Sequence, residues 1–178
     1  MAIAKGMTNI EWEIHEKARC LQNLLSSGME SIDNMRTSIK ESISKQIEME
    51  SEGDPEIRHE RELYYLGVFD IPEEMEQRFL QSMVVQICTY IESILKDITK
   101  NEKQYKGPNK ILYFYKHIQT EKNKDFGPIT NYIPKWCELH KMRNDIVHDG
   151  YIKEHLCQQE IKKTIEEARV FLKTVENA

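Results

Sequence analysis

Apolar residues recur every three or four positions along almost the whole chain. From Ile14 they fall at Ala18, Leu21, Leu25, Met29, Ile32, Met35, Ile39, Ile43 and Ile47, the spacing of one helical face. The pattern predicts a single helix of roughly forty residues, kinked near the SSG stretch at 26–28. Gly53, Asp54 and Pro55 interrupt it. Asp54 is placed to cap the next helix and Pro55 to open it. That short helix is expected to run to about Leu66 and stop at Gly67.

Pro72 opens the most apolar segment. Phe79, Met83, Ile87, Ile91, Ile94 and Ile98 line one face, and Leu80, Val84 and Cys88 widen it. A helix so broadly apolar belongs at the centre of a bundle. A shorter helix is expected over 108–117, another from Pro134 to about His148, and a last one from Gln158, with Ile161, Ile165, Ala168, Leu172 and Val175 at helical spacing. Strand patterns and internal repeats are absent from the sequence. The pattern predicts an all-α antiparallel up-and-down helical bundle with a long N-terminal helix, one domain over 1–178.

Composition narrows the class without naming a function. Of 178 residues 39% are hydrophobic and 31% charged, a balance that suits a folded helical protein. The first residues lack the basic-then-apolar pattern of a signal peptide, and no run approaches the ~20 apolar residues that span a bilayer. A cytoplasmic protein is the expectation, with Cys20, Cys88, Cys137 and Cys157 as reduced thiols. Charge is unevenly placed. Residues 1–100 hold 11 Lys/Arg against 19 Asp/Glu, and residues 101–178 hold 14 against 11. A polyanion would be drawn to the second half. Within 101–141, eight lysines lie among seven of the fifteen aromatic residues, including Tyr113, Phe114, Tyr132 and Trp136. Such interleaving suits single-stranded RNA, the rings stacking on bases; the bland counterpart has Phe114 and Trp136 in the core and the lysines solvated.

The chemistry concentrates in LHKMRNDIVHDGY, residues 139–151. At about 100° per residue, Leu139, Met142, Ile146 and Val147 fall on one face of the helix, and Arg143 falls inside it. Stranding a guanidinium there would cost several kcal/mol. Arg143 must therefore meet a carboxylate, reach water through a cleft, or face a second subunit. His148 points elsewhere on a regular helix, unless the HDG terminus redirects it. Cys137 and His140, with His155 and Cys157 beyond, do not match a common zinc pattern, so no metal or other cofactor is expected. Phosphate-binding glycine loops and a Ser-His-Asp arrangement are also missing.

RNDIVHDG resembles the R-x4-6-H motif of the HEPN superfamily, with Arg143, Asn144 and His148 at the matching positions. ICTYIESILKDI resembles the central helix of that family, with Glu92 at its acidic position, and the motif precedes one final helix. The resemblance covers roughly 70–178, leaving 1–52 as a long helix or arm. It implies a metal-independent endoribonuclease whose arginine and histidine meet across a homodimer interface. On that resemblance, His148 would serve as acid/base group, Arg143 would stabilise phosphoryl charge and Asn144 would support them. Attack of a ribose 2′-OH would leave a 2′,3′-cyclic phosphate. Lys135, Lys141 and Tyr151 are the expected RNA contacts. The family also implies a toxin or defence effector restrained by a cognate antitoxin. Tyr151 lies three residues after His148, whereas some toxin branches place a tyrosine two residues after it. The other expectation is a noncatalytic HEPN-like dimerisation or interaction module in which Arg143 is structural.

Overall fold

The computed structural model describes residues 8–99, 113–114, 116–117, 120 and 131–177. Among them it places helices α1 (Asn9–Ser51), α2 (Pro55–Tyr64), α3 (Leu66–Phe69), α4 (Ile71–Thr99), α5 (Tyr132–Asp149) and α6 (Gln158–Asn177), and no strand. The expected helix over 108–117 lies mostly outside the described residues; Tyr113, Phe114, Lys116, His117 and Thr120 are helical. No described helix is long and apolar enough to cross a membrane. The chain divides into two compact units, one of residues 1–25 with 80–178 and one of residues 26–79.

Among the described residues of the first unit, the start of α1, most of α4, α5 and α6 pack as antiparallel neighbours. Polar contacts fix the direction of each neighbour. Thr8 donates to Glu176 at 2.7 Å, Lys173 pairs with Glu11 at 3.2 Å, and Arg169 meets His15 at 3.2 Å, so α1 and α6 run oppositely. Lys17 donates to Ser93 at 3.2 Å, while Leu24 shares a groove with Gln86, one α1 turn after another along a descending α4. Gln81 donates to the Ile152 carbonyl at 3.2 Å and Cys88 to the Leu139 carbonyl at 3.5 Å, setting α5 against α4 in reverse. Trp136 packs on Phe171 at 5.7 Å between ring centres, whereas Met142, further along α5, lines a cleft with Ile161, earlier on α6. The expected up-and-down order is present. Leu80, Met83, Val84, Ile87, Cys88, Ile91, Ile94 and Leu95 of α4 are all fully buried, as its breadth of apolar positions predicts for a central helix.

The second unit joins the rest of α1 to α2, α3 and the first turns of α4. Met29, Ile32, Ile43 and Ile47 of α1 are buried, and Arg36 pairs with Glu76 at 2.7 Å. The break after α1 follows its sequence: Gly53 takes φ 85°, and Asp54 accepts from the Glu56 and Ile57 amides at 2.8 and 3.4 Å. Its aspartate supplies acceptors that the first turn of a helix otherwise lacks. Beyond it the expected single helix is two, with α2 ending at Tyr64 and α3 starting at Leu66.

α1 is helical through 26–28, the stretch where a kink is expected. Gly28 serves packing. A Cβ there would lie 2.2 Å from the tip of the Phe79 ring, so the missing side chain is the seat of that ring. Alanine normally gains about 1 kcal/mol over glycine inside a helix. Here the overlap reverses the sign, and we expect Gly28→Ala to lose about 1–2 kcal/mol. Chemical denaturation of Gly28→Ala and of Gly28→Ala/Phe79→Leu checks this, since the second variant should recover the loss.

Candidate active site on the fifth helix

The motif occupies the last three turns of α5, which stays helical to Asp149 and ends with Gly150 at φ 81°, its amide donating to the Ile146 carbonyl at 3.0 Å. The left-handed cap needs a residue without Cβ strain, which glycine provides. The helix end therefore leaves His148 in register. It lies five positions after Arg143, about 140° around the axis, so α5 does not bring the two together.

Arg143 is half-buried, and its Nη1 donates to the Asn144 side-chain oxygen at 2.9 Å. Among the described residues no carboxylate closes on it. Of the three outcomes open to this arginine, a carboxylate partner is not found among the described residues. His148 is exposed and makes no hydrogen bond or ion pair among the described residues. The apolar face around Arg143 is also only partly covered. Leu139 is buried, Met142 and Ile146 are half-buried, and Val147 is 53% exposed. A wheel identifies which positions are apolar; it does not supply the neighbour that would cover them.

Beside Arg143 lies a buried polar cluster that the sequence did not reveal. Nδ1 of His140, one turn before Arg143, lies 2.8 Å from Oε1 of Glu92 on α4. Both atoms are buried, and the contact is an ion-pair approach rather than an aligned hydrogen bond. Cys88, one turn before Glu92, has its thiol pushed up to about 12 by burial first, then by the Glu92 charge, with Arg143 pulling the other way. The position of His140 near Trp136 and Arg143 on the wheel was the available signal; its partner depends on the register between α4 and α5, which one helix cannot disclose. A thiol so raised stays protonated at pH 8. We expect alkylating reagents to label exposed Cys20 and Cys157 in the native protein and Cys88 only after unfolding, as mass mapping of the labelled peptides will show. The raised folded value also makes its contribution to stability full below pH ~9 and lost as pH rises further.

The expected RNA contacts separate. Lys141 and Tyr151 are exposed, Tyr151 by 58%. Lys135 is engaged by Glu167 and lies 5.6 Å above the Trp136 ring, so its charge is answered within the protein. The rings offered for stacking are corrected in two cases. Trp136 is 0% and Phe114 2% exposed, both spent on the core, while Tyr113 is 47% exposed. Tyr105, Tyr115 and Phe126 lie outside the described residues. A cleft of about 310 Å³ between α5 and α6 is lined by Lys135, Glu138, Glu160 and Lys163 over an apolar floor, without Arg143 or His148. Among the described residues no three His, Cys, Asp or Glu side chains are grouped to hold a metal. Comparison with family models, curated proteins and solved structures gave no match.

Proposed function

We propose that the chain is a metal-independent endoribonuclease of HEPN type, a toxin or defence effector working as a homodimer in the cytoplasm. The observation that carries this reading is Arg143: half-buried, hydrogen-bonded to Asn144 and answered by no carboxylate among the described residues. A cation held in that way keeps its attraction for an incoming phosphate, and the planar guanidinium suits phosphoryl oxygens. His148, exposed on the last turn of the same helix, supplies an imidazole, a group suited to take up and return a proton. Because the two side chains diverge around α5, a complete site takes Arg143 and His148 from different copies. The partly covered Met142, Ile146 and Val147 supply apolar surface for that contact. Lys141 and Tyr151, both exposed, would hold the RNA on either side of the scissile phosphate. His148 removes the proton from the ribose 2′-OH, the 2′-oxygen bonds to phosphorus as the P–O5′ bond breaks, and the imidazolium returns the proton to the departing 5′-oxygen. Arg143 steadies the charge on the phosphoryl oxygens, and the products are a 2′,3′-cyclic phosphate end and a 5′-hydroxyl end. A cognate antitoxin protein is the restraint such an activity calls for.

The test is cleavage of end-labelled single-stranded RNA in EDTA, wild type beside His148→Ala. A cyclic-phosphate product lost in the variant, by about 10²–10⁴-fold, is expected of an acid/base group. A chain that stays monomeric at micromolar concentration would sink the shared site. The second reading, a noncatalytic dimerisation module, draws on the exposed Val147 and Tyr151, which suit a contact surface without chemistry. Folded dimers that cleave no RNA would favour it.

A further inference from the structure

Exposed apolar side chains are concentrated in one short stretch. Of the thirteen large hydrophobic residues exposed among those described, eight lie between Met49 and Met75. They include Leu63 and Leu66 at 55%, Tyr64 at 73%, Ile71 at 43% and Met75 at 44%. Neither α2 nor α3 buries a single residue. A ten-residue helix is marginal in water unless it packs an apolar face. What holds α2 on its own unit is polar: the Asp54 cap, Arg61 against Glu50 at 3.0 Å and Tyr65 donating to Glu50 at 3.2 Å. Ile57 and Tyr64 lie seven residues apart on one face of α2, and Ile71 and Met75 four apart on one face of α4. These faces have the spacing of packing surfaces and stay 39–73% exposed; the ring of Tyr64 meets that of Tyr65 edge-on, at 5.2 Å between ring centres.

Charge says what kind of partner fits. Residues 48–76 hold eleven acidic side chains against two arginines, and Glu56, Glu60, Glu73 and Glu74 make no ion pair among the described residues. Two copies meeting here would bring like charges together, and nucleic acid or an anionic membrane would be repelled. We infer that the α2–α3 face and the first turn of α4 form a docking surface for a basic amphipathic helix of another protein. Its apolar residues would cover Leu63, Tyr64 and Leu66, and its flanking Lys and Arg would meet the unpaired glutamates. This inference is independent of the endoribonuclease reading.

A display library of helical peptides tests it. All members share one apolar face, the flanks are randomised among Lys, Arg, Glu, Gln and Ser, and selection is on the full chain. Peptides with Lys and Arg flanks are expected to win. Their binding should fall at least tenfold on Leu63→Ser/Leu66→Ser, two exposed sites whose replacement leaves helix content by circular dichroism unchanged. A second variant, Glu56→Lys/Glu60→Lys, keeps the apolar face and should lose the basic peptides. Four results overturn the inference: no enrichment, enrichment of acidic or uncharged flanks, equal binding by both variants, or a wild-type dimer that Leu63→Ser/Leu66→Ser dissociates. The last would make a second copy the occupant.

Discussion

Replacing Arg143 with alanine is expected to leave the melting temperature within a few degrees of wild type and to lower RNA cleavage by about 10²–10³-fold, the loss typical of one fixed donor to a developing oxyanion. The two halves of this expectation have separate causes. Arg143 is half-buried and gives up one hydrogen bond, to the neighbouring Asn144. A bond of that kind contributes about 1 kcal/mol, and no buried carboxylate among the described residues is stranded by its removal. The arginine therefore costs the fold little, whereas the proposed chemistry depends on it. Arg143→Lys should recover only part of the activity, since an ammonium cannot offer the planar fork. Thermal unfolding and initial cleavage rates of the three proteins, read together, decide the matter. If Arg143→Ala cleaves as wild type, the arginine is no part of a catalytic site. If the variant unfolds instead, its role is structural and the interaction-module reading gains.

The parts of the architecture that were legible in the sequence are those that depend on one helix at a time. The regular steps from Ile14 to Ile47 and the broad apolar surface of α4 follow from local periodicity, and both helices are present. The SSG stretch shows a use of glycine that periodicity does not reveal. In α1, Gly28 makes room for the Phe79 ring. Arg143 stood out in the sequence for a physical reason, a permanent charge on an apolar stripe, and its half-buried setting agrees with that tension. His140 gave a weaker signal. Its meaning lies in Glu92, 48 residues earlier and on another helix. Pairings across helices depend on register, and so do the burial of Trp136 and the engagement of Lys135 by Glu167.

His140→Ala is expected to be among the most damaging single replacements in the first unit, lowering stability by roughly 3 kcal/mol, at the low end of the range for breaking a buried pair. His140 is 3% exposed, and its ring closes on a Glu92 carboxylate whose side chain is 16% exposed. Removing the imidazole takes away the nearby cationic or donor group and leaves a void between α4 and α5. The low end applies because Glu92 retains a small opening to solvent and further interactions of its own. Replacing both members by apolar residues, His140→Leu with Glu92→Met, should cost less than His140→Ala alone, because no charge remains to be buried. Urea denaturation of His140→Leu, Glu92→Met and the double variant supplies that cycle, with His140→Ala beside them. Additive losses, or a His140→Ala cost below about 1 kcal/mol, would show that the contact contributes little. The double variant has a second use. His140 lies one turn from Arg143, so a folded protein lacking the pair separates two duties: cleavage retained means that the pair only secures the α4–α5 register, whereas cleavage lost with the fold intact means that it also holds Arg143 at the angle the phosphate requires.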